Sequence, residues 1–509
     1  MRENLNISLK KVAKGTGLVF IGTILGTLLG LITRIITVRY ITTTEFGLLS
    51  LALVIVNILR ILSSLGFENS VPRYISHALG KKEYTKVWAT IKSSLKVSLL
   101  LSVIFSFTLF FFSPRIANLF HKSSLITPIR ILAFTVPLMV LSNLLISILR
   151  GLEDVKGKIY FQNIFPFLIK IILLSFVILL GLSFKGVLYA YLLGSLFTLV
   201  LIIHYAKKKI SLLIPKGSNS SFSLTKELVA FSLPLLGTSI STMIMGWTDT
   251  IMLGYFKSAD VVGLYNVALS LSRFIALPLG ALAFIYLPVA SQLYAQGKLK
   301  EMKGLYITVT KWTFFVTLPV LLCMLLAPKS ILSLLFGNKY IGASIALQLL
   351  VIGEFVHTFL GPNGMTMISL GRTNIILFCT LVSALSNIIL NLLLIPKYGL
   401  AGAAGASAFS FALANILLSG FIFKFSNIHP FSKNYLKPVS ITFIVSLVLF
   451  KLNLNIFLLI ILISFLSLAF IFFTKSIDQE DIWLLEPLER KIFKHNGLSS
   501  RLASWCGVK

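Results

Sequence analysis

The sequence contains few charged residues and few cysteines. Charged side chains make up 12% of the 509 residues, whereas about 25% is usual in a soluble domain. The three cysteines, Cys323, Cys379 and Cys506, are odd in number and widely spaced, which excludes a disulfide framework and a zinc-binding spacing. We therefore expect no metal site, and the low charge argues against a soluble protein.

Acids and histidines are also scarce, with 16 and 6 in the whole chain. The predicted outer connections are short, and the clear acids near that side are Glu45, Asp249 and Asp260. A membrane glycosyltransferase or polymerase needs a sizeable loop with acids or histidines for general acid–base chemistry. We therefore predict that the protein is not an enzyme.

Hydrophobic residues, by contrast, account for 57% of the chain and lie in long runs. A bilayer core about 30 Å thick is crossed by about 20 helical residues, so a run of that length predicts a transmembrane helix. The sequence predicts an all-α membrane protein with about 14 such helices. The runs cover approximately residues 15–38, 44–66, 87–112, 125–149, 159–182, 184–205, 228–251, 261–289, 305–327, 341–369, 373–395, 399–423, 436–451 and 454–474.

The net charge of +30 comes from Lys and Arg residues that lie mostly between the runs. Most of the 46 basic residues fall in alternate connections and at the chain ends, as the positive-inside rule requires of cytoplasmic segments. They form no continuous basic patch, so no nucleic-acid partner is predicted. The distribution predicts a multi-pass protein of the cell (plasma) membrane with both termini in the cytoplasm.

Similar segments at the starts of the second and eighth runs indicate an internal repeat, because residues 46–52 (FGLLSLA) resemble residues 262–268 (VGLYNVA). Six runs separate the copies, and an even number gives both halves the same orientation in the membrane. We predict two parallel six-helix lobes, at 1–205 and 228–425, joined by a cytoplasmic linker at 206–227. The remaining predicted segments are two extra helices within 426–474 and a cytoplasmic tail, 475–509.

Two segments carry a family resemblance. Together with the number of runs and the repeat, the passages Arg39–Gly47 and Leu65–Arg73 resemble polysaccharide biosynthesis flippases, whose superfamily includes multidrug and toxin extrusion antiporters and lipid II flippases. The resemblance covers about residues 10–425 well. It implies a V-shaped pair of lobes that works by alternating access and carries a polyprenyl-linked sugar from the inner to the outer leaflet.

Four basic residues inside the runs are candidates for substrate binding: Arg34, Arg60, Lys170 and Arg273. Ionisable side chains are costly at the bilayer centre, so they usually face a cavity or a partner, although those near helix ends can reach the headgroups instead. Lipid II flippases carry cavity arginines in their first, second and eighth helices, and the resemblance implies that role for Arg34, Arg60 and Arg273. An arginine can donate two parallel hydrogen bonds to a phosphate or diphosphate.

Oxygen-bearing side chains in later runs are candidates for a cation site. Asn387 and Asn391 are four residues apart and share one helix face. With Asp249 and Ser407 they match, by helix and spacing, the sodium site implied by the resemblance to lipid II flippases, although Asn391 replaces the usual acid and Ser407 the usual threonine. The alternative is that the asparagines only form hydrogen bonds between helices.

Two further groups of polar residues are candidates for proton transfer or for contact with the substrate headgroup. Glu354 and His357, one turn apart in the tenth run, are either a proton relay or a local hydrogen-bonded pair. Glu68, Asn69 and Arg73 follow the second run and are expected in a cytoplasmic loop that meets the substrate headgroup or is simply solvated.

The leading hypothesis is a flippase that moves a polyprenyl-(di)phosphate-linked oligosaccharide from the inner to the outer leaflet for surface polysaccharide or glycan assembly. The alternative is a cation-coupled multidrug and toxin extrusion antiporter, which would need carboxylates and aromatic residues around an organic cation. No cofactor is expected beyond a coupling ion, Na⁺ or H⁺. The expected partners are the lipid-linked sugar and the bilayer, with the protein a monomer that works beside polysaccharide-assembly proteins.

Overall fold

Almost every described residue of the chain is helical. The computed structural model describes residues 2–211, 222–431 and 433–451, with isolated residues between 458 and 470. Backbone groups in a bilayer core cannot hydrogen-bond to water, so hydrophobic segments satisfy them internally as helices. The predicted tail, and the predicted fourteenth helix apart from the isolated residues, lie outside the described residues.

The chain forms two compact units, Met1–Asn266 and Val267–Lys509. We call them the first unit and the second unit. The helices of the first unit are α1 Arg2–Tyr40, α2 Thr43–Ser64, α3 Phe67–Gly80, α4 Tyr84–Leu119, α5 Ile126–Ala133, α6 Thr135–Gly151, α7 Val155–Lys158, α8 Phe165–Leu179, α9 Phe184–Ile210 and α10 Phe222–Phe256.

The boundary between the units lies within the next helix, α11. A 3₁₀ segment, Arg273–Ala276, joins α11 to α12. The remaining helices are α11 Ala259–Ser272, α12 Leu277–Ala295, α13 Leu299–Leu326, α14 Pro328–Phe336, α15 Ser344–Leu360, α16 Asn363–Ser369, α17 Thr373–Ser426 and α18 Lys433–Lys451. Because α10 contacts α2, α3 and α4, it belongs to the first unit. The predicted lobe boundaries stay a prediction.

Membrane-spanning helices account for the predicted runs. Among the described residues, nine helices are long and apolar enough to cross a membrane, or up to eleven if each bent pair is one span. The 54-residue α17 has non-helical angles at Gly399 (φ 54°, ψ −122°). A straight helix of that length would measure about 80 Å, far more than a bilayer core. Counting its two halves separately raises the upper count among the described residues from eleven to twelve spans, and α18 matches the thirteenth run. The predicted all-α class is confirmed.

The segment after α2 is a helix, so the prediction of a loop around Glu68 and Arg73 is wrong. The chain leaves α2 through two left-handed residues, Leu65 and Gly66, and then resumes a helix as α3. Its apolar face, which includes Phe67, is fully buried, and α3 contacts α4, α6 and α10. Tertiary burial of that face therefore outweighs the polar composition of the segment.

Gly66 allows both the turn and the packing, because its φ is 78° and an added Cβ would lie 2.5 Å from the carbonyl oxygen of Ser232. We expect Gly66→Ala to destabilise the protein by about 1–2 kcal/mol of backbone strain. Overpacking adds about 1–3 kcal/mol to that cost. Gly181 also has a positive φ, 61°, but an added Cβ would meet nothing within 4 Å. Gly181→Ala should therefore lose only the free energy of backbone strain. The measurement is the thermal unfolding midpoint in detergent, which should fall less for Gly181→Ala than for Gly66→Ala. Equal losses in the two variants would show that crowding at Ser232 costs nothing.

Candidate functional site

Arg34 lies near the end of α1 and points into the first unit. Its Nη1 donates a hydrogen bond of 3.0 Å to the carbonyl oxygen of Asn266 in α11. Its guanidinium also lies 5.9 Å from the ring centroid of Phe46, at the start of α2. The side chain is half-buried, so Arg34 is held by protein groups rather than extended to the headgroups.

Arg60 lies in the last two turns of α2 and forms an ion pair. Its Nη1 donates to Oε1 of Glu68 at 2.6 Å, and its Nε donates to Oδ1 of Asn57 at 3.2 Å. The side chain of Arg60 is 14% exposed and that of Glu68 is 30% exposed. Arg60 is thus a largely buried cation whose partner remains accessible to a competing anion. Because Arg34 lies close to the junction of α1 and α2 and Arg60 near the far end of α2, the two guanidiniums are at different depths.

Lys170 of α8 faces α9. Its Nζ lies 5.1 Å from the ring centroid of Tyr191, and its stem packs against Gly194. The hydroxyl of Tyr191 is 3.5 Å from Oγ1 of Thr37, one turn beyond Arg34 on α1. Tyr191 therefore contacts both α8, which carries Lys170, and α1, which carries Arg34.

Arg273 is in the second unit, at the start of the 3₁₀ segment between α11 and α12. A 3₁₀ segment inside a long helix often marks a functional position or a hinge. The side chain is exposed, and it makes no hydrogen bond or ion pair with any residue that the structure describes. Its predicted convergence with Arg60 stays a prediction.

The predicted cation ligands form two groups. Asp249 in α10 is 3% exposed, and one of its carboxylate oxygens accepts a hydrogen bond of 2.6 Å from the hydroxyl of Tyr265 in α11. In the second unit, Nδ2 of Asn391 donates to Oδ1 of Asn387 at 3.0 Å, and Nδ2 of Asn387 lies 3.4 Å from the hydroxyl of Ser407. The break at Gly399 allows the two halves of α17 to make this contact.

The Asn387–Ser407 contact joins the two halves of α17, whereas the Asn391–Asn387 hydrogen bond lies within one of them. Whether Asp249 joins these side chains around a cation stays a prediction. No cluster of three or more His, Cys, Asp or Glu side chains that could hold a metal ion occurs among the described residues.

Glu354 and His357 face each other in α15. Oε2 of Glu354 and Nδ1 of His357 are 3.9 Å apart, which is longer than a hydrogen bond but within ion-pair range if the histidine is protonated. The His357 ring also packs edge-on against Phe411, with the ring centroids 5.2 Å apart. The two side chains therefore form a close pair within the second unit, and a relay role stays a prediction.

Comparison with known proteins shows where the chain belongs. The family of polysaccharide biosynthesis proteins matches residues 12–294, more than half of the chain. The chain belongs to this family. The MatE family also matches residues 234–393, in agreement with the expected superfamily relationship.

Several relatives of the chain are named as flippases or transporters rather than enzymes. It is 24% identical to the probable low-salt glycan biosynthesis flippase Agl15 of Haloferax volcanii, over 82% of this chain and 84% of the relative. The lipid II flippase MurJ in an inward closed conformation has a similar fold, with a TM-score of 0.71, 18% identity, and coverage of 89% of this chain and 97% of the other. An inward-facing multidrug resistance MATE transporter gives a TM-score of 0.64 at 19% identity, over 78% of this chain and 93% of the other. The predicted helical transporter fold is confirmed.

Sequence reasoning missed several residues of this family member that the structure makes prominent. Tyr191 and Tyr265, the partners of Lys170 and Asp249, carry no charge that would single them out in a run. Lys311 is fully buried in α13. Its position within the apolar run 305–327 is enough to mark it as a candidate from the sequence. The sequence also points to Glu68, but its pairing with Arg60 depends on the break after α2.

Proposed function

We propose that this protein is a flippase that moves a polyprenyl-(di)phosphate-linked oligosaccharide from the inner to the outer leaflet of the cell membrane. The observation that carries the proposal is the Arg60 guanidinium, which is largely buried inside a hydrophobic span and is held by the partly exposed carboxylate of Glu68. A buried cation in a membrane helix is costly unless it serves a ligand or a partner. The name of the relative Agl15 supports the same function.

The first unit offers cationic side chains at two depths. We propose that a phosphate arriving from the inner leaflet displaces Glu68 from Arg60, because the guanidinium can bind two phosphate oxygens with parallel hydrogen bonds. Arg34 and Lys170 then provide cations further along the path. Arg273, in the second unit, is a further candidate for binding the phosphate. An anion that binds one conformation more tightly than the other shifts the population towards it, which is how binding biases alternating access.

The antiporter alternative rests on acids rather than bases. An organic cation would need an accessible carboxylate beside aromatic rings. Asp249 is buried and already accepts a hydrogen bond from Tyr265, which disfavours such a role.

The test is transport by the full chain in vesicles. A fluorescent polyprenyl-diphosphate-linked sugar is reconstituted with the protein, and chemical quenching from outside measures how much headgroup crosses the bilayer. We expect protein-dependent crossing of the headgroup and no movement of ethidium along a sodium or proton gradient. Ethidium transport without headgroup crossing would replace the flippase with the antiporter.

We further propose that Na⁺ drives transport through Asp249, Asn387, Asn391 and Ser407, because oxygen ligands suit a hard cation. Headgroup crossing should be several times faster in a sodium gradient than in choline, and Asp249→Asn should remove the difference. Asp260→Asn is the matched control, because Asp260 lies in the first turn of α11 and lacks the buried setting of Asp249. Equal wild-type rates in sodium and choline would contradict sodium coupling and leave the flippase function untouched.

A further inference from the structure

An apolar groove of about 730 Å³ lies between α4, α6 and α9 in the first unit, and its lining residues do not include Arg34 or Arg60. Its walls include Leu95 and Leu99 of α4, Leu145 of α6 and Ile203 of α9. On α4 the lining residues recur every three or four positions, so they form one face of the helix. The groove is therefore a continuous apolar surface across three helices.

Lys92 and Lys207 lie towards one end of the groove, and Lys96 lies one turn further along α4, between Leu95 and Leu99. The described residues that line the groove include Lys92, Lys96 and Lys207 but no acid. Lys92 and Lys96 are in the early turns of α4, and Lys207 is in the last turn of α9, which also carries Lys208 and Lys209. Lys209 pairs with Asp154 at 3.5 Å, whereas the three lining lysines form no ion pair with any described residue.

Trp88 marks the same end of the groove. Nζ of Lys92 lies 5.2 Å from the Trp88 ring centroid. Tryptophan prefers the headgroup level of a bilayer, and lysine stems follow apolar surface while their ammonium groups reach the headgroups. From Trp88 to Leu99 the groove extends about 16 Å along α4, which is close to half of a bilayer core. Its length therefore fits the chains of one leaflet.

We propose that this groove binds a bilayer phospholipid with an anionic headgroup. The lipid chains lie along Leu95, Leu99 and Ile203, and the phosphate lies among Lys92, Lys96 and Lys207. Charge complementarity selects the occupant, because three lysines without acidic partners repel each other and an anion relieves that repulsion. In the predicted orientation this end faces the cytoplasm, so the lipid belongs to the inner leaflet. This site is separate from the proposed transport path.

Quenching of Trp88 by brominated lipids tests the proposal directly. The full chain is reconstituted in phosphatidylcholine with increasing amounts of brominated phosphatidylglycerol or brominated phosphatidylcholine. The signal of Trp88 is the difference between the wild type and Trp88→Phe. Each lysine near an anionic headgroup strengthens binding about fivefold. We therefore expect the brominated phosphatidylglycerol to quench Trp88 at concentrations at least tenfold lower than brominated phosphatidylcholine.

Variants separate a built site from general attraction of the membrane surface. Lys92→Gln, Lys96→Gln and Lys207→Gln should each reduce the preference several-fold, and together they should nearly abolish it. Lys86→Gln is the matched control, because Lys86 is exposed on the same helix and pairs with Glu83 at 3.0 Å. Equal quenching by the two lipids, or an equal effect of Lys86→Gln, would overturn the proposal. Displacement of the brominated lipid by trace polyprenyl phosphate would also overturn it and would make the groove a substrate entry site.

Discussion

Arg60→Ala is expected to reduce headgroup crossing about 30-fold or more, while the protein still inserts and folds. In the proposed mechanism Arg60 and the substrate phosphate form a buried, hydrogen-bonded charge pair. Truncating one partner of such a pair typically costs about 2–5 kcal/mol of binding free energy. Arg60→Lys should retain part of the rate, because lysine keeps the charge but loses the planar fork that binds two oxygens. The measurement is the initial rate of headgroup crossing in vesicles that contain equal amounts of inserted protein.

Two further variants identify the cause of the loss. Arg60→Ala leaves Glu68 without its guanidinium, so the double variant Arg60→Ala/Glu68→Gln removes both charges of the pair. If Arg60 binds the substrate phosphate, the double variant should be as slow as the single one. Recovery in the double variant would show that Arg60 only neutralises Glu68. Arg115→Ala is the matched control, because Arg115 is an exposed arginine whose guanidinium lies 4.9 Å from the Phe112 ring, far along α4.

Gly47→Ala is expected to abolish crossing almost completely, because α2 and α11 touch backbone to backbone at repeat-related glycines. An added Cβ at Gly47 would lie 1.7 Å from the carbonyl oxygen of Ala259, and one at Gly263 would lie 2.3 Å from that of Thr43. A carbonyl oxygen cannot move aside as a side chain can, so the two helices must separate. In the predicted orientation this contact closes the outer end, and Gly47→Ala should hold that end open.

The accessibility of a cysteine at Leu48 measures this opening. Leu48 is 5% exposed, so a cysteine there should react slowly with an impermeant maleimide added outside to the otherwise wild-type protein. We expect Gly47→Ala and Gly263→Ala each to raise the labelling rate about tenfold or more, as for a conformational shift of more than about 1.4 kcal/mol. Gly246→Ala is the matched control, because an added Cβ there meets nothing within 4 Å. Normal labelling and normal transport in Gly47→Ala would show that the outer end does not need this contact.

The sequence predicts the spans of this protein better than it predicts the contacts between them. The thickness of the bilayer sets the length of each run, so counting apolar residues locates helices such as the two halves of α17. The repeat aligns Gly47 with Gly263, but only the packed structure shows that the backbones at these two glycines are in contact. Run length says nothing about which face of one helix contacts another.

The Arg60–Glu68 pair illustrates the physical reason. Residues eight positions apart in a straight helix are separated by about 12 Å along its axis. The left-handed turn at Leu65 and Gly66 brings Glu68 back to within 2.6 Å of Arg60. A sequence can suggest that Gly66 interrupts a helix, but the direction in which the chain continues depends on the burial of α3 against its neighbours. Likewise, the contact between Lys170 and Tyr191 depends on the packing of α8 on α9.

Selectivity for the charge of the lipid carrier tests the central claim most directly. Two substrates with the same sugar and the same polyprenyl chain are compared in vesicles with the wild-type protein, one joined through a diphosphate and the other through an uncharged linker. If buried arginines recognise the phosphate, the diphosphate substrate should cross at least about tenfold faster, which corresponds to about 1.4 kcal/mol of recognition. Equal rates for the two substrates would contradict the account, because transport would then depend on the sugar or the polyprenyl chain and not on the anion.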